Sequence, residues 1–192
     1  MYAFLLSTAV IFVAELGDKS QLLAMTFAAR YRARDVLIGI TAATALVHLA
    51  SVAIGALIGD AFADYQSGIA VAAGVAFLGF AAWTLRGDEL TEAEAGKARA
   101  ATRTAILAVG VAFFLAELGD KTMLATITLA TREGWFGTWL GSTLGMVAAD
   151  ALALGVGAVL GRRLPEKAIS YGAAALFALF GLLLIADGAG WL

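Results

Sequence analysis

Six apolar stretches dominate this 192-residue chain, at 4–29, 36–58, 67–86, 104–130, 136–160 and 168–190. Each reaches the roughly 20 residues a helix needs to cross the hydrocarbon core of a bilayer. In hydrocarbon no water is at hand for backbone N–H and C=O groups, so only helices and closed barrels can span. Runs of this length therefore predict an all-α integral membrane protein with six transmembrane helices. The chain is 61% hydrophobic and 15% charged, against about half and about a quarter in soluble domains. A net charge of −2 gives no reason to expect nucleic acid as a partner, and the absence of Cys excludes disulfides and thiolate chemistry. The first residues lack the basic region of a cleavable signal peptide and are expected to remain as the first span.

The connections between the runs are short. The one long polar stretch, at 87–103, contains Thr91 and Glu94 at capping-box spacing and is expected to be a connecting loop with a short surface helix. It divides the chain into 1–86 and 104–192. Pro165 falls in the last connection, where it interrupts no helix. Ten basic residues lie in the connections after spans 1, 3 and 5 (Arg30, Arg32, Arg34; Arg86, Lys97, Arg99, Arg103; Arg162, Arg163, Lys167), and only Arg132 lies on the other side. Positive charge marks the cytoplasmic side, so both termini are expected outside the cytoplasm and 87–103 inside it. Trp83, Trp135, Trp139 and Trp191 fall near span ends, as in an interfacial belt.

An internal repeat is offset by 102 residues: positions 12–30 and 114–132 share 11 identities in 19. The glycines continue it, Gly39 with Gly141, Gly55 with Gly157, Gly59 with Gly161 and Gly79 with Gly181. Each copy holds three spans. Three is odd, so the second copy is expected to cross in the opposite sense, as two inverted three-helix repeats. Such repeats typify secondary transporters, whose ion sites lie near the midplane. The spacings GALIG (55–59), GAVLG (157–161) and GTWLGSTLG (137–145) read as close-packing surfaces.

The best-preserved part of the repeat is ionisable: AELGDKS at 14–20 and AELGDKT at 116–122. On one continuous helix, Glu15, Asp18, Lys19 and Leu22 would share a face within about 100°, with Lys19 an i+4 neighbour of Glu15; Glu117, Asp120 and Lys121 repeat this. An ionised residue at a helix centre costs about 3 kcal/mol on insertion scales, so six facing lipid would cost on the order of 18 kcal/mol. They must face one another, water or an ion. Four carboxylates against Lys19 and Lys121 sum to −2, a deficit that one divalent cation or two protons would neutralise. The pattern points to exchange of a metal ion for protons, with Glu15, Asp18, Glu117 and Asp120 as ligands and the lysines balancing charge.

Gly17 and Gly119 would permit close approach beside the carboxylates. Ser20 and Thr122 would ligate, or bond back to the carbonyls of Leu16 and Leu118. Gln21, about 60° from Asp18 on the helical wheel, would add a neutral oxygen. Hard oxygen donors favour Mn²⁺, Ca²⁺ or Mg²⁺ over Zn²⁺ or Cu⁺. His48, the only His, and Asp150 occupy equivalent mid-span positions; they would line the ion path or relay protons, or else form a buried pair, or leave the His satisfied by a backbone carbonyl.

The paired E-x-G-D-K-(S/T) signatures, in AELGDKSQLLA and FFLAELGDKTMLAT, resemble those of the Gdt1 family of cation/proton exchangers, over essentially the whole chain. The short two-signature form is similar to the bacterial manganese-exporter branch. The resemblance implies exchange of Mn²⁺, and in some members Ca²⁺, for protons, with the ion bound by Glu15, Asp18, Glu117 and Asp120. Two departures stand out: Met123 where the family commonly has Gln, and Asp150 where relatives often have Asn. Both bear on ion preference and proton coupling.

Two other classes compete. A passive cation channel also uses carboxylates, and an intramembrane aspartyl protease would pair Asp18 with Asp120 as a proton-sharing dyad. The inverted repeat favours alternating access over a channel, and the lysine after each Asp disfavours the dyad. The expected partners are a divalent metal ion, protons and lipid, with no nucleic acid and no resident cofactor. A homo-oligomer is compatible with the sequence but not indicated by it. The expected setting is a bacterial inner membrane, with export of the metal from the cytoplasm.

Overall fold

A computed structural model describes residues 1–86, 105–160 and 166–191. The described residues are helical, with no strand among them: α1 (Tyr2–Glu15), α2 (Lys19–Ala28), α3 (Ala33–Ala61), a 3₁₀ turn at Ala63–Tyr65, α4 (Gln66–Arg86), α5 (Ala105–Glu117), α6 (Lys121–Ala130), α7 (Trp135–Leu160) and α8 (Glu166–Gly188). Among the described residues, four helical stretches are long and apolar enough to cross a membrane: Ala33–Ala61, Ala63–Arg86, Trp135–Val156 and Ser170–Gly188. The expected polar connection at 87–103 with its Thr91–Glu94 cap, the basic residues Arg162 and Arg163, and Pro165 lie outside the described residues, as does the packing of Gly157 and Gly161.

The chain is apolar outside and polar within. Leu46, Leu57, Leu107 and Leu182 are more than half exposed, whereas Glu15, Glu117, Asp150 and His48 are fully buried. Burying ionisable groups while exposing leucine would be a poor choice in water and is the right one in lipid. This is a multi-pass membrane protein.

The first and fourth expected spans are not continuous helices. The run at 4–29 is divided into α1 and α2, and the run at 104–130 into α5 and α6. In both cases the division falls inside the E-L-G-D-K motif. Gly17 has φ +76° and Gly119 φ +80°, a left-handed conformation that costs a residue with a Cβ about 1–2 kcal/mol. Leu-Gly is thus a helix C-terminus with glycine just past its end, and the following Asp occupies the N-cap of the next helix. Glycine serves here by its φ: a Cβ at Gly119 would meet nothing within 4 Å.

Small residues let the helices approach backbone to backbone. Gly137, Gly141 and Gly145 of α7 lie against Ala3, Phe4, Thr8 and Phe12 of α1, as the GTWLGSTLG spacing predicts. Gly39 of α3 lies against Ile106 and Val109 of α5, and Gly55 and Gly59 against the Ile127–Thr131 end of α6. Gly74 of α4 and Gly181 of α8 each abut the other's carbonyl. Several contacts correspond across the 102-residue offset: Gly141 meets the Phe4 carbonyl where Gly39 meets that of Ile106. Thr44 Oγ1 of α3 lies 3.3 Å from Sδ of Met146 on α7, and these two are themselves offset partners.

Two apolar clusters form the core. In one, Leu23, Ala24 and Phe27 of α2 join Val109, Ala112 and Phe113 of α5. In the other, Val10, Ile11 and Ala14 of α1 join Ala125 and Leu129 of α6, with Phe77 and Phe177 from α4 and α8. Tyr2 and Leu6 of α1 also share a cavity of about 390 Å³ with Thr128, Leu129 and Arg132. The start of α1 and the end of α6 therefore lie at the same end of the molecule.

Candidate ion-binding site

The two breaks bring the motif residues together across the repeats, not along one helix face. An Asp at an N-cap usually bonds its own helix's free N–H groups; neither Asp18 nor Asp120 does so. Each carboxylate instead meets a lysine of the other repeat. Lys19 Nζ lies 3.4 Å from Asp120 Oδ1, and Lys121 Nζ pairs with Asp18 Oδ1. The expected i,i+4 arrangement of Glu15 with Lys19, and of Glu117 with Lys121, does not form, because each helix ends at its Glu and the lysine starts a new one in a new direction.

The glutamates close the helices that precede the breaks and are fully buried. Ser20 Oγ donates to Glu15 Oε1 and lies 3.4 Å from Asp18 Oδ2. Thr122 Oγ1 donates to Glu117 Oε2 at 2.9 Å. Neither hydroxyl takes the expected path back to Leu16 or Leu118; with the helix interrupted, the carboxylate is the nearer acceptor. The second oxygen of each glutamate, Glu15 Oε2 and Glu117 Oε1, has no hydrogen-bond partner among the described residues.

Asp150 of α7 joins this group. It follows Ala149, whose carbonyl takes the Gln21 amide, it is fully buried, and both its oxygens lack a hydrogen-bond partner among the described residues. His48 of α3 is equally buried, yet neither ring nitrogen has a hydrogen-bond partner among the described residues. The alternatives of a hydrogen-bonded His48–Asp150 pair and of a His held by a carbonyl are thus not what forms.

Gln21 differs most from expectation. Its Oε1 accepts the Gly17 N–H at 2.9 Å, and its Nε2 donates to the Ala149 carbonyl of α7 at 3.1 Å. Its oxygen is committed to the backbone of the break. At the equivalent place, Met123 Sδ accepts the Gly119 N–H at 3.2 Å. A helical wheel could not place either contact, since the wheel assumes that the helix continues. The signal was in the letters: Leu-Gly followed by Asp is a stop signal and then a start signal.

As the side chains stand, no group of three or more His, Asp or Glu among the described residues is drawn together into a metal-holding cluster; ammonium groups lie against both aspartates. Asp18 and Asp120 each lie against a lysine of the other repeat, an ammonium neighbour that a proton-sharing aspartyl dyad has no use for. What the arrangement offers is a set of buried carboxylate oxygens without hydrogen-bond donors among the described residues, beside two ammonium groups. Buried acceptors of this kind call for a proton or a cation.

Interrupted helices around buried carboxylates, inside an apolar exterior, define an ion-handling membrane protein of the secondary-transporter kind. The chain belongs to the GDT1 family of divalent cation/proton antiporters, which it matches over residues 3–92 and 105–191. It is 36% identical over 186 residues to a Vibrio cholerae protein provisionally named a manganese exporter, covering 95% of this chain and 90% of that one. It is 30% identical to a GDT1-like protein of Synechocystis, over 94% of this chain and 95% of the other. A chloroplastic GDT1-like protein of rice is 33% identical over 90% of this chain, which spans 58% of that longer relative. No solved structure matches.

Proposed function

We propose that this chain exchanges a divalent cation for protons, with Mn²⁺ as preferred cargo and Ca²⁺ next, and exports the metal from the cytoplasm. The observation that carries this reading is the set of buried carboxylate oxygens without donors among the described residues, Glu15 Oε2, Glu117 Oε1 and both of Asp150, together with the crossed Lys–Asp pairs. Glu15, Asp18, Glu117 and Asp120 hold the ion. Lys19 and Lys121 act as built-in counter-ions: they rest on Asp120 and Asp18 when the metal is absent and yield those carboxylates when it arrives. Asp150 lines the path or carries protons, and His48 is the second relay candidate. Ser20 and Thr122 orient the glutamates. All-oxygen donors suit Mn²⁺ and Ca²⁺, and the name of the Vibrio relative favours the first.

In this reading the four long helices and the two broken arms, α1–α2 and α5–α6, make six crossings. Residues 1–86 and 104–192 are inverted repeats joined by a cytoplasmic loop at 87–103. The exchange of contacts across the 102-residue offset supports this, as does the shared end of α1 and α6. The charge bias of the connections supports termini outside the cytoplasm, in a bacterial inner membrane where inward-driven protons would power efflux.

Reconstitution in liposomes with an imposed pH gradient, following Mn²⁺, Ca²⁺ and Mg²⁺ separately, tests the reading. Mn²⁺ flux should follow the proton gradient and fall at least a hundredfold (about 2.7 kcal/mol or more) in Glu15→Gln and in Asp120→Asn. Flux that ignored the gradient and carried current would identify a channel; flux that persisted in both variants would remove the carboxylates from the site.

A further inference from the structure

Gln21 is 2% exposed and uses both ends of its amide. The oxygen accepts from the N–H of Gly17, the left-handed glycine of the first break. The nitrogen donates to the carbonyl of Ala149, the residue before Asp150. One side chain thus ties the turn that carries Asp18 to the turn of α7 that carries Asp150. Among the described residues, Met123 makes no such tie in the second repeat. Met123 offers Gly119 a weak sulfur acceptor and has nothing to donate, and the carbonyl equivalent to Ala149, Val47 on α3, takes the Ser51 hydroxyl at 2.8 Å.

We infer that Gln21 is a positioning residue that fastens the first break to α7 and sets the place of Asp18 relative to Asp150, leaving the second break as the one that opens more readily. Gln21 acts on the cargo through Asp150: its oxygen accepts the Gly17 N–H and its nitrogen donates to the Ala149 carbonyl beside Asp150. The inference builds on the exchanger reading for its transport consequences, whereas the tie itself is independent of cargo.

The test has two arms. In purified protein without transport, amide hydrogen exchange at Gly17 should be slower than at Gly119 by roughly five- to tenfold, the range a single net hydrogen bond supports. Gln21→Met should bring Gly17 to the Gly119 rate, and Met123→Gln should slow Gly119. In liposomes at a pH where the introduced carboxyl is ionised, Gln21→Met and Gln21→Glu should both raise the apparent KM for Mn²⁺ roughly five- to tenfold, since neither a thioether nor a carboxylate can donate to Ala149. That rise should vanish when Asp150→Asn is already present; a general structural defect would persist in that background. The inference is overturned if Gly17 and Gly119 exchange alike in the wild type. It is also overturned if Gln21→Glu keeps the wild-type KM while Gln21→Met does not, which would make the side-chain oxygen a ligand. If the wild type carries no proton-coupled flux, the exchanger reading fails, and the exchange rates still decide the tie.

Discussion

The two breaks have nearly the same backbone and different side-chain settings. Gly17 and Gly119 differ by a few degrees in φ, and Asp18 (−79°, 164°) matches Asp120 (−76°, 165°). Around this common turn the first break has Gln21 tied to α7 and the second has Met123 tied only to its own glycine. The crossed lysines differ as well. The Lys121 side chain, against Asp18, is 5% exposed, and that of Lys19, against Asp120, is 18% exposed. The E-L-G-D-K letters fix the turn, and the residues beyond them decide how firmly each half is held. A symmetric backbone can therefore carry an asymmetric site.

The lysines provide the largest test of that asymmetry. Asp18→Asn takes the Asp18 carboxylate from the buried Lys121 ammonium, and removing one partner of a buried pair costs up to about 3–5 kcal/mol. Asp120→Asn takes the Asp120 carboxylate from Lys19, whose greater exposure lets its ammonium stay partly hydrated, so a smaller loss is expected, about 1–2 kcal/mol. Thermal unfolding of the two variants in detergent, without metal, checks this. Equal losses would mean that the difference in burial has no energetic weight and that the halves are equivalent where the charges sit.

The glycines should show the opposite, equality. Gly17→Ala and Gly119→Ala each place a Cβ on a left-handed residue, at about 1–2 kcal/mol. With open space around Gly119, that loss is conformational and not steric. Asn, which tolerates this region better, should lose less than Ala at both sites. Unfolding midpoints of the four variants give the comparison. A Gly119→Ala loss near zero would show that the second break can straighten into a continuous helix.

The hydropathic and small-residue features were legible because they act locally. Six apolar runs announced a membrane protein, and glycine spacing in GTWLGSTLG named the face of α7 that meets α1. The break was written in Leu-Gly-Asp, yet a helical wheel laid through an uninterrupted apolar run concealed it. Its consequence, that Lys19 would leave Glu15 for Asp120, depends on bringing together segments about a hundred residues apart, which no local pattern encodes. The contacts of Gln21 were hidden for a related reason. A buried amide close to carboxylates invites a ligand role, and only the positions of Gly17 and Ala149 show that both its ends are engaged.

The smallest expected effect lies where the arms end, at Arg30–Tyr31 in one repeat and Arg132–Glu133 in the other. Tyr31 stacks on Phe27, ring centroids 6.2 Å apart. Glu133 lines the cavity near the start of α1; burial pushes its carboxyl above the ordinary glutamate value, and the Arg132 guanidinium pulls it partly back. Arg132 is itself engaged with Asp187 at 2.6 Å. A carboxyl raised on folding binds its proton more tightly in the folded state, so its favourable contribution is complete below the unfolded pKa. That contribution is lost as pH rises through the folded value. At neutral pH the ionised Glu133 is thus a slight burden that Glu133→Gln should relieve. The side chain is only partly buried, and solvent screening keeps the gain below about 0.5 kcal/mol. Unfolding at pH 7 and again in acid below the ordinary glutamate range should show the gain at the first and not at the second, whereas Tyr31→Phe should show no pH dependence across the same interval.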